Sequence, residues 1–150
     1  MLDAAKIAYT VLEYTVDEND LSGIHIAEQL GFDKEKMFKN MVAKGDKTGP
    51  LVFCIPVAEE LHLKNAASLT GNKKIEMVPV KELLGLTGYI RGGCSPIGMK
   101  KKFPIYIHES ALQFEEITVS SGTRGAQLLL DRASLLQFVQ AKTADLTGKT

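Results

Sequence analysis

Hydrophobic positions open the chain at helical spacing: Ala4, Ile7, Ala8, Val11 and Leu12 predict a helix over Asp3–Glu13. A second helix is predicted to start at Ser22, a residue type suited to an N-cap, and to end at Gly31 after Ile26, Ala27 and Leu30. The pattern then changes to β. Met37–Lys44 and Leu51–Val57 read as strands, and Gly45-Asp46-Lys47-Thr48-Gly49-Pro50 reads as the hairpin turn between them. Leu51-Val52-Phe53-Cys54-Ile55 is apolar without interruption, which predicts a strand buried on both faces.

Beyond the hairpin, short helices and strands alternate without a fixed repeat. Leu63–Leu69 reads as a helix ended by Gly71, Ile75–Val78 as extended, and Val80–Leu84 as a helix ended by Gly85. Ile105–His108 and Ile117–Ser120 read as two further strands, and Asp131–Ala141 as a closing helix that carries Leu135, Leu136 and Val139. This irregular mixture predicts an α+β fold with a mixed sheet, not a regular βαβ array. Tight loops and small size favour a sheet curled part of the way to a barrel, surrounded by short helices.

No low-complexity segment, linker or repeat divides the chain, so residues 1–150 are expected to form one domain. With 45% hydrophobic and 24% charged residues, it can build a core without disulfide or metal staples. Eighteen basic residues balance eighteen acidic ones, which excludes a polycation that holds nucleic acid by net charge. Any such contact must come from a local patch. One is visible in Lys34–Lys47, where five lysines stand against Glu35 and Asp46. No apolar run approaches the ~18–20 residues of a membrane span, and Met1-Leu2-Asp3-Ala4-Ala5-Lys6 does not read as a secretory signal. Cys54 and Cys94 make neither a disulfide framework nor a CxxC pair, so a reduced, cytoplasmic protein is expected.

The segment from Thr87 to Lys102 holds the most chemistry. Gly88, Gly92, Gly93 and Gly98 lie there with Ser95 and Pro96, flanked by Arg91, Lys100, Lys101 and Lys102, and no acid interrupts it. Glycines let backbone amides approach an anion or a developing oxyanion. The same composition also suits an ordinary tight connection, and the spacing is not that of a Walker A loop. A second glycine loop, Ser120-Ser121-Gly122-Thr123-Arg124-Gly125, follows a strand. Its arginine could hold a phosphate or carboxylate by a bidentate fork, or simply decorate a turn. Lys39 is a third candidate, a cation on an apparent strand, where the plain alternative is the solvent face.

Familiar catalytic arrangements are missing from the sequence. His25, His62 and His108 have neither metal-ligand spacing nor a GxSxG elbow beside them. Cys54 reads as core, and Cys94 as a small loop residue or a thiol activated by nearby amides. With no base–nucleophile pair, a hydrolase of this sequence would work by positioning and oxyanion stabilisation. No metal or cofactor is implied.

Taken together, these segments resemble the YbaK/EbsC family of freestanding aminoacyl-tRNA deacylases, related to the editing domain of bacterial prolyl-tRNA synthetases. The resemblance runs from Tyr14-Thr15-Val16-Asp17 to Ala144-Asp145-Leu146. It is carried by Ala27-Glu28-Gln29-Leu30-Gly31, Val57-Ala58-Glu59-Glu60-Leu61, Gly71-Asn72-Lys73-Lys74-Ile75-Glu76-Met77, Thr87 to Lys102 and Ser120 to Gly125. It implies hydrolysis of a mischarged tRNA ester, typically cysteine on the tRNA for proline, with prolyl-tRNA synthetase as a partner. By the same resemblance, Lys39 holds the tRNA 3′ end, and Tyr14, Gly92, Gly98 and Ser120 line the pocket. The mechanism it implies is substrate-assisted: the substrate's thiol attacks its own ester carbonyl, with release of a cyclic cysteine product as one outcome, while the enzyme stabilises the oxyanion. Lys39, Gly92, Gly98 and Ser120 are therefore the expected catalytic residues. Tyr14, Asn40, Gly93, Ser95, Pro96, Arg124 and Gln127 are the expected substrate-binding set.

Two positions depart from the family pattern. Asn40 stands where threonine is common after the key lysine, and Gln127 where some cysteine-specific members have aspartate. The sequence leaves open whether cysteine or alanine is removed. Competing readings are a non-catalytic module that binds tRNA 3′ ends or nucleotides and regulates a synthetase, and a hydrolase of another small ester or thioester.

Overall fold

A computed structural model of the chain describes residues 9–15, 23–79, 81, 82, 85, 103–120 and 125–147. Among the described residues, eight strands form two sheets. The first contains β1 (Tyr9–Glu13), β6 (Glu116–Ser120) and β7 (Ala126–Asp131) in the order β1-β7-β6, all antiparallel. The second contains β2 (Phe38–Gly45), β3 (Gly49–Pro56), β4 (Ile75–Met77), β5 (Ile105–His108) and β8 (Lys142–Ala144) in the order β4-β2-β3-β5-β8. In it β2 is antiparallel to β3 and β4, while β3–β5 and β5–β8 are parallel. The sheet is therefore mixed, as the sequence implies. A parallel bridge between Met37 and Thr118 joins the two sheets, and among the described residues they do not close into a barrel.

Alternation along the strands sorts the core into layers. Val52 and Cys54 of β3 point into one cluster with Phe38, Ile107, Ile117, Val119, Leu128, Leu130 and Leu135, between the two sheets. Leu51, Phe53 and Ile55 point the other way, against Ala66 and Ala67 of α2 (Leu63–Thr70) and against Leu146. The apolar run of β3 is thus buried on both faces, each of the five residues at 2% exposure or less. A third cluster sets Ile26 and Ala27 of α1 (Gly23–Leu30) on Met37, Val57 and Tyr14. Gly71 ends α2 at φ +76, a left-handed cap in which the Asn72 amide donates to Ala67 O at 2.9 Å. The last helix, α3 (Arg132–Val139), begins on Asp131, whose carboxylate accepts from the Ser134 amide at 2.8 Å.

Two expectations need correction, and two strands have no counterpart in the sequence pattern. Tyr9–Glu13 is a strand, not part of a helix, while the remainder of that expected helix, and Ser22, lie outside the described residues. The local sequence Tyr9-Thr10-Val11 is rich in aromatic and β-branched residues, and its pairing with β7 overrides the helical spacing of Val11 and Leu12. Strands β7 and β8 did not register in the sequence pattern at all. Gly85, expected to end a helix, is itself helical, as are Lys81 and Glu82.

Candidate functional site

Lys39 lies on β2, where alternation places it on the same face as Met37 and Met41. Met37 is covered by α1 and Met41 packs in the α2 cluster, so Lys39 occupies the interval between the two helices. Its partner in register is Ile55, and the chain leaving β3 turns back through Glu59 and Glu60. Burial pushes the Lys39 ammonium below its ordinary value of 10.5, and the charges of Glu60 and Glu59 only partly oppose that shift. A half-buried lysine whose charge Glu60 and Glu59 offset only in part can receive a further anion.

Ser120 enters the same face from the other sheet. Because Met37 and Thr118 are bridged in parallel, Lys39 and Ser120 each stand two residues past the junction on the same side. Gln127 is opposite Ser120 in register and shares that side, and Thr118 is diagonal to it. Thr118, Ser120 and Gln127 are all buried. Thr118 Oγ1 and Gln127 Oε1 have no hydrogen-bond partner among the described residues. Buried oxygens without a partner, on the face that also carries Lys39, are acceptors that a ligand's donors could complete. Tyr14 closes the α1 side, and its amide donates to Gly125 O at 2.9 Å, at the end of the second glycine loop.

Asn40 is placed differently. It points to the opposite face of β2, where its Oδ1 accepts from the Cys54 thiol at 3.2 Å. The structure therefore brings Lys39, Ser120, Gln127 and Tyr14 to one side of the junction and leaves Asn40 on the other. Gly92, Gly93, Ser95, Pro96, Gly98 and Arg124 lie outside the described residues, as does Cys94. Sequence reasoning missed Thr118, Glu59 and Glu60. A signal for the two acids was present: pairing Gly45 with Gly49 puts Ile55 beside Lys39, and the turn after β3 must follow.

The three histidines have structural surroundings. His62 caps α2 by accepting from the Asn65 amide at 3.2 Å, and His108 accepts from the Leu146 amide at 3.1 Å. His25 lies 3.2 Å from the Gln29 side-chain nitrogen. Cys54 is buried, which pushes its thiol up to about 12. No three His, Cys, Asp or Glu gather at a metal-binding distance among the described residues, and no described helix is long and apolar enough to cross a membrane.

Among the described residues, the junction thus offers a half-buried lysine and polar oxygens without a partner, groups that can hold and orient a polar or anionic ligand. The family comparison agrees: residues 24–138 match the aminoacyl-tRNA editing domain, and the chain belongs to that family, a class of hydrolytic deacylases. Within it, the chain is 46% identical over 149 residues to EbsC of Enterococcus faecalis, covering 99% of this chain and 91% of that protein. EbsC is named as a candidate Cys-tRNA(Pro)/Cys-tRNA(Cys) deacylase. The crystal structure of a candidate trans-editing enzyme for prolyl-tRNA synthetase superposes with a TM-score of 0.82 at 27% identity, over 93% of this chain and 86% of that one. A hypothetical protein, APE2540, shares the fold at a TM-score of 0.85 and 19% identity, over 97% and 95% of the two chains.

Proposed function

We propose that this protein hydrolyses mischarged aminoacyl-tRNA in trans, with Cys-tRNA(Pro) as its substrate and prolyl-tRNA synthetase as the enzyme whose errors it clears. The observation that carries the reading is Lys39, a desolvated cation placed level with Ser120 at the junction of the two sheets. In this reading Lys39 receives a phosphate at the tRNA 3′ end. Tyr14, Ser120 and Gln127 border the aminoacyl group, and Arg124 and the Gly92–Gly98 loop, with Gly93, Ser95 and Pro96, supply anion and oxyanion donors. The cysteinyl thiol adds to its own ester carbonyl, a C–S bond forms, and the C–O bond to the ribose breaks. The thiol proton ends on the released 3′ hydroxyl, and water then opens the cyclic thioester. Such a route needs no enzymic nucleophile. We place the reaction in the cytoplasm, where its substrate is made, and take residues 1–150 to act as one domain.

The test is a panel of aminoacyl-tRNAs, including cysteinyl and alanyl esters of the proline tRNA, incubated with purified protein with and without prolyl-tRNA synthetase. Release of cysteine from Cys-tRNA(Pro), lost in Lys39→Ala, is the expected result. Tight binding of tRNA without any release would favour the non-catalytic module.

A further inference from the structure

We infer that the tip of the β2–β3 hairpin, together with the segment it clasps, is a phosphate-binding platform for the acceptor arm of tRNA. The inference rests on the editing reading above, and it names a surface outside the junction around Lys39. Sequence balance requires that any nucleic-acid contact be local, and this tip is where exposed cations collect on a rigid frame. Lys44 and Lys47 come from the hairpin, Lys73 and Lys74 from the turn after α2, and Lys81 follows β4, all of them exposed. They stand against Asp46, Glu76 and Glu82.

The frame is built from side chain to backbone. Asn72 is buried, and its Oδ1 accepts from the Lys47 amide at 2.8 Å and the Thr48 amide at 3.1 Å. Its Nδ2 donates to Thr70 Oγ1 at 2.7 Å and to Thr48 Oγ1 at 3.1 Å. Asp46 Oδ1 in turn accepts from the amides of Lys73 and Lys74, at 2.9 and 3.1 Å. Gly45 is required here, since an added Cβ would land on the Asn72 amide. Glu82 is drawn to Lys44 at 3.2 Å and Glu76 to Lys74 at 2.8 Å. Lys47 and Lys73 have no ion-pair partner among the described residues, and the two crossed clamps hold their backbones side by side.

The platform is also aligned with the site. Lys39 and Gly45 are six residues apart on β2, about 20 Å at the usual rise of a strand. A nucleic-acid strand whose terminal phosphate sits on Lys39 therefore needs to span only about that distance, passing outside α2, which covers this face of β2, to lay earlier phosphates on Lys47 and Lys73.

The experiment compares wild type, Lys47→Gln/Lys73→Gln and Lys142→Glu, the last making the same change in net charge at the opposite edge of the sheet. Binding of uncharged proline tRNA is titrated against salt. Turnover is followed on Cys-tRNA(Pro) and on a cysteinyl CCA trinucleotide that is too short to reach the tip. The double variant should lower the slope of log K against log salt by about 1.4–1.8, and Lys142→Glu should leave it unchanged. It should also lower kcat/KM on the full tRNA by about tenfold while sparing the trinucleotide. An unchanged slope, an equal loss on both substrates, or an equal effect of Lys142→Glu overturns the platform. Absence of turnover in the wild type would overturn the editing reading instead, and the salt slope would still decide the platform.

Discussion

The Cys54 thiol donates to Asn40 Oδ1 at 3.2 Å on the face of β2 that turns away from Lys39. Neighbours in sequence thus belong to different surroundings, since a strand sends successive side chains to opposite faces. Asn40 is therefore expected to bear on how β2 lies against β3 rather than on the substrate. Asn40→Ala should leave kcat/KM within about threefold of wild type and shift stability by about 1 kcal/mol. A loss of activity as deep as that of Lys39→Ala would place the Asn40 side chain in the site.

Lys39 should be a residue whose removal stabilises the fold. Burial lowers its pKa from 10.5, so in the folded state the charged form is disfavoured relative to the unfolded chain. The penalty is present at neutral pH and fades as pH rises through the folded pKa, so this group adds stability toward alkaline pH. Lys39→Met should accordingly melt at or above the wild-type temperature at pH 7, with no deacylation. Lys39→Arg should keep the charge yet lose most activity, because a planar fork does not replace a compact ammonium. A marked drop in melting temperature for Lys39→Met would assign the lysine a structural role.

The two cysteines should separate by reactivity. With its thiol pushed up to about 12 by burial, Cys54 is neutral and shielded at pH 8. In Cys94→Ser, a thiol reagent should find no rapidly reacting group in the native protein and one after denaturation. The same variant should keep most of its activity on a cysteinyl substrate, because the attacking sulfur belongs to the substrate. Loss of turnover with unchanged melting and tRNA binding would instead indicate a covalent enzyme thiol.

Asn72 offers a prediction about stability alone. Its four hydrogen bonds tie the hairpin to the end of α2. Asn72→Ala takes the acceptor from the Lys47 and Thr48 amides, while the Thr48 and Thr70 hydroxyls keep their carbonyl partners, and should cost about 1–3 kcal/mol in denaturant titration. Turnover on a short aminoacyl trinucleotide should be unchanged once the protein is folded.

The hairpin was legible because Gly45 and Gly49 bracket a turn and β3 has no polar residue between Leu51 and Ile55. Helix α2 was legible because Gly71 punctuates it. Strand β1 was not, since Val11 and Leu12 fit helical spacing and only pairing with Leu128 and Gln127 decides otherwise. Strand β7 was hidden by Leu128-Leu129-Leu130, a run with no alternation to read. The site followed the same rule. Lys39 was visible as a cation on a strand, but its level with Ser120 depends on the Met37–Thr118 bridge, a contact between residues 81 positions apart that no local pattern encodes.

Gly98 tests whether the first glycine loop does chemistry. It lies outside the described residues, and its expected role is the one the proposed reaction gives it. If the loop presents amides to the oxyanion, they must converge on one point at about 2.7–3.1 Å from the developing charge. A methyl group at Gly98 would meet the substrate or bar any positive φ that the loop uses. Loss of one oxyanion donor lowers turnover by roughly 10²–10³, so Gly98→Ala should reduce kcat by that order with little change in melting temperature. Gly49→Ala is the control. Gly49 has φ +76 with open space around an added Cβ, so alanine there strains the turn by about 1–2 kcal/mol without touching the site. Its kcat at saturating substrate should equal that of the wild type. Equal kcat in the two variants would mean that the Gly92–Gly98 segment only connects its flanking elements, and the oxyanion role would have to pass to the Ser120–Gly125 loop.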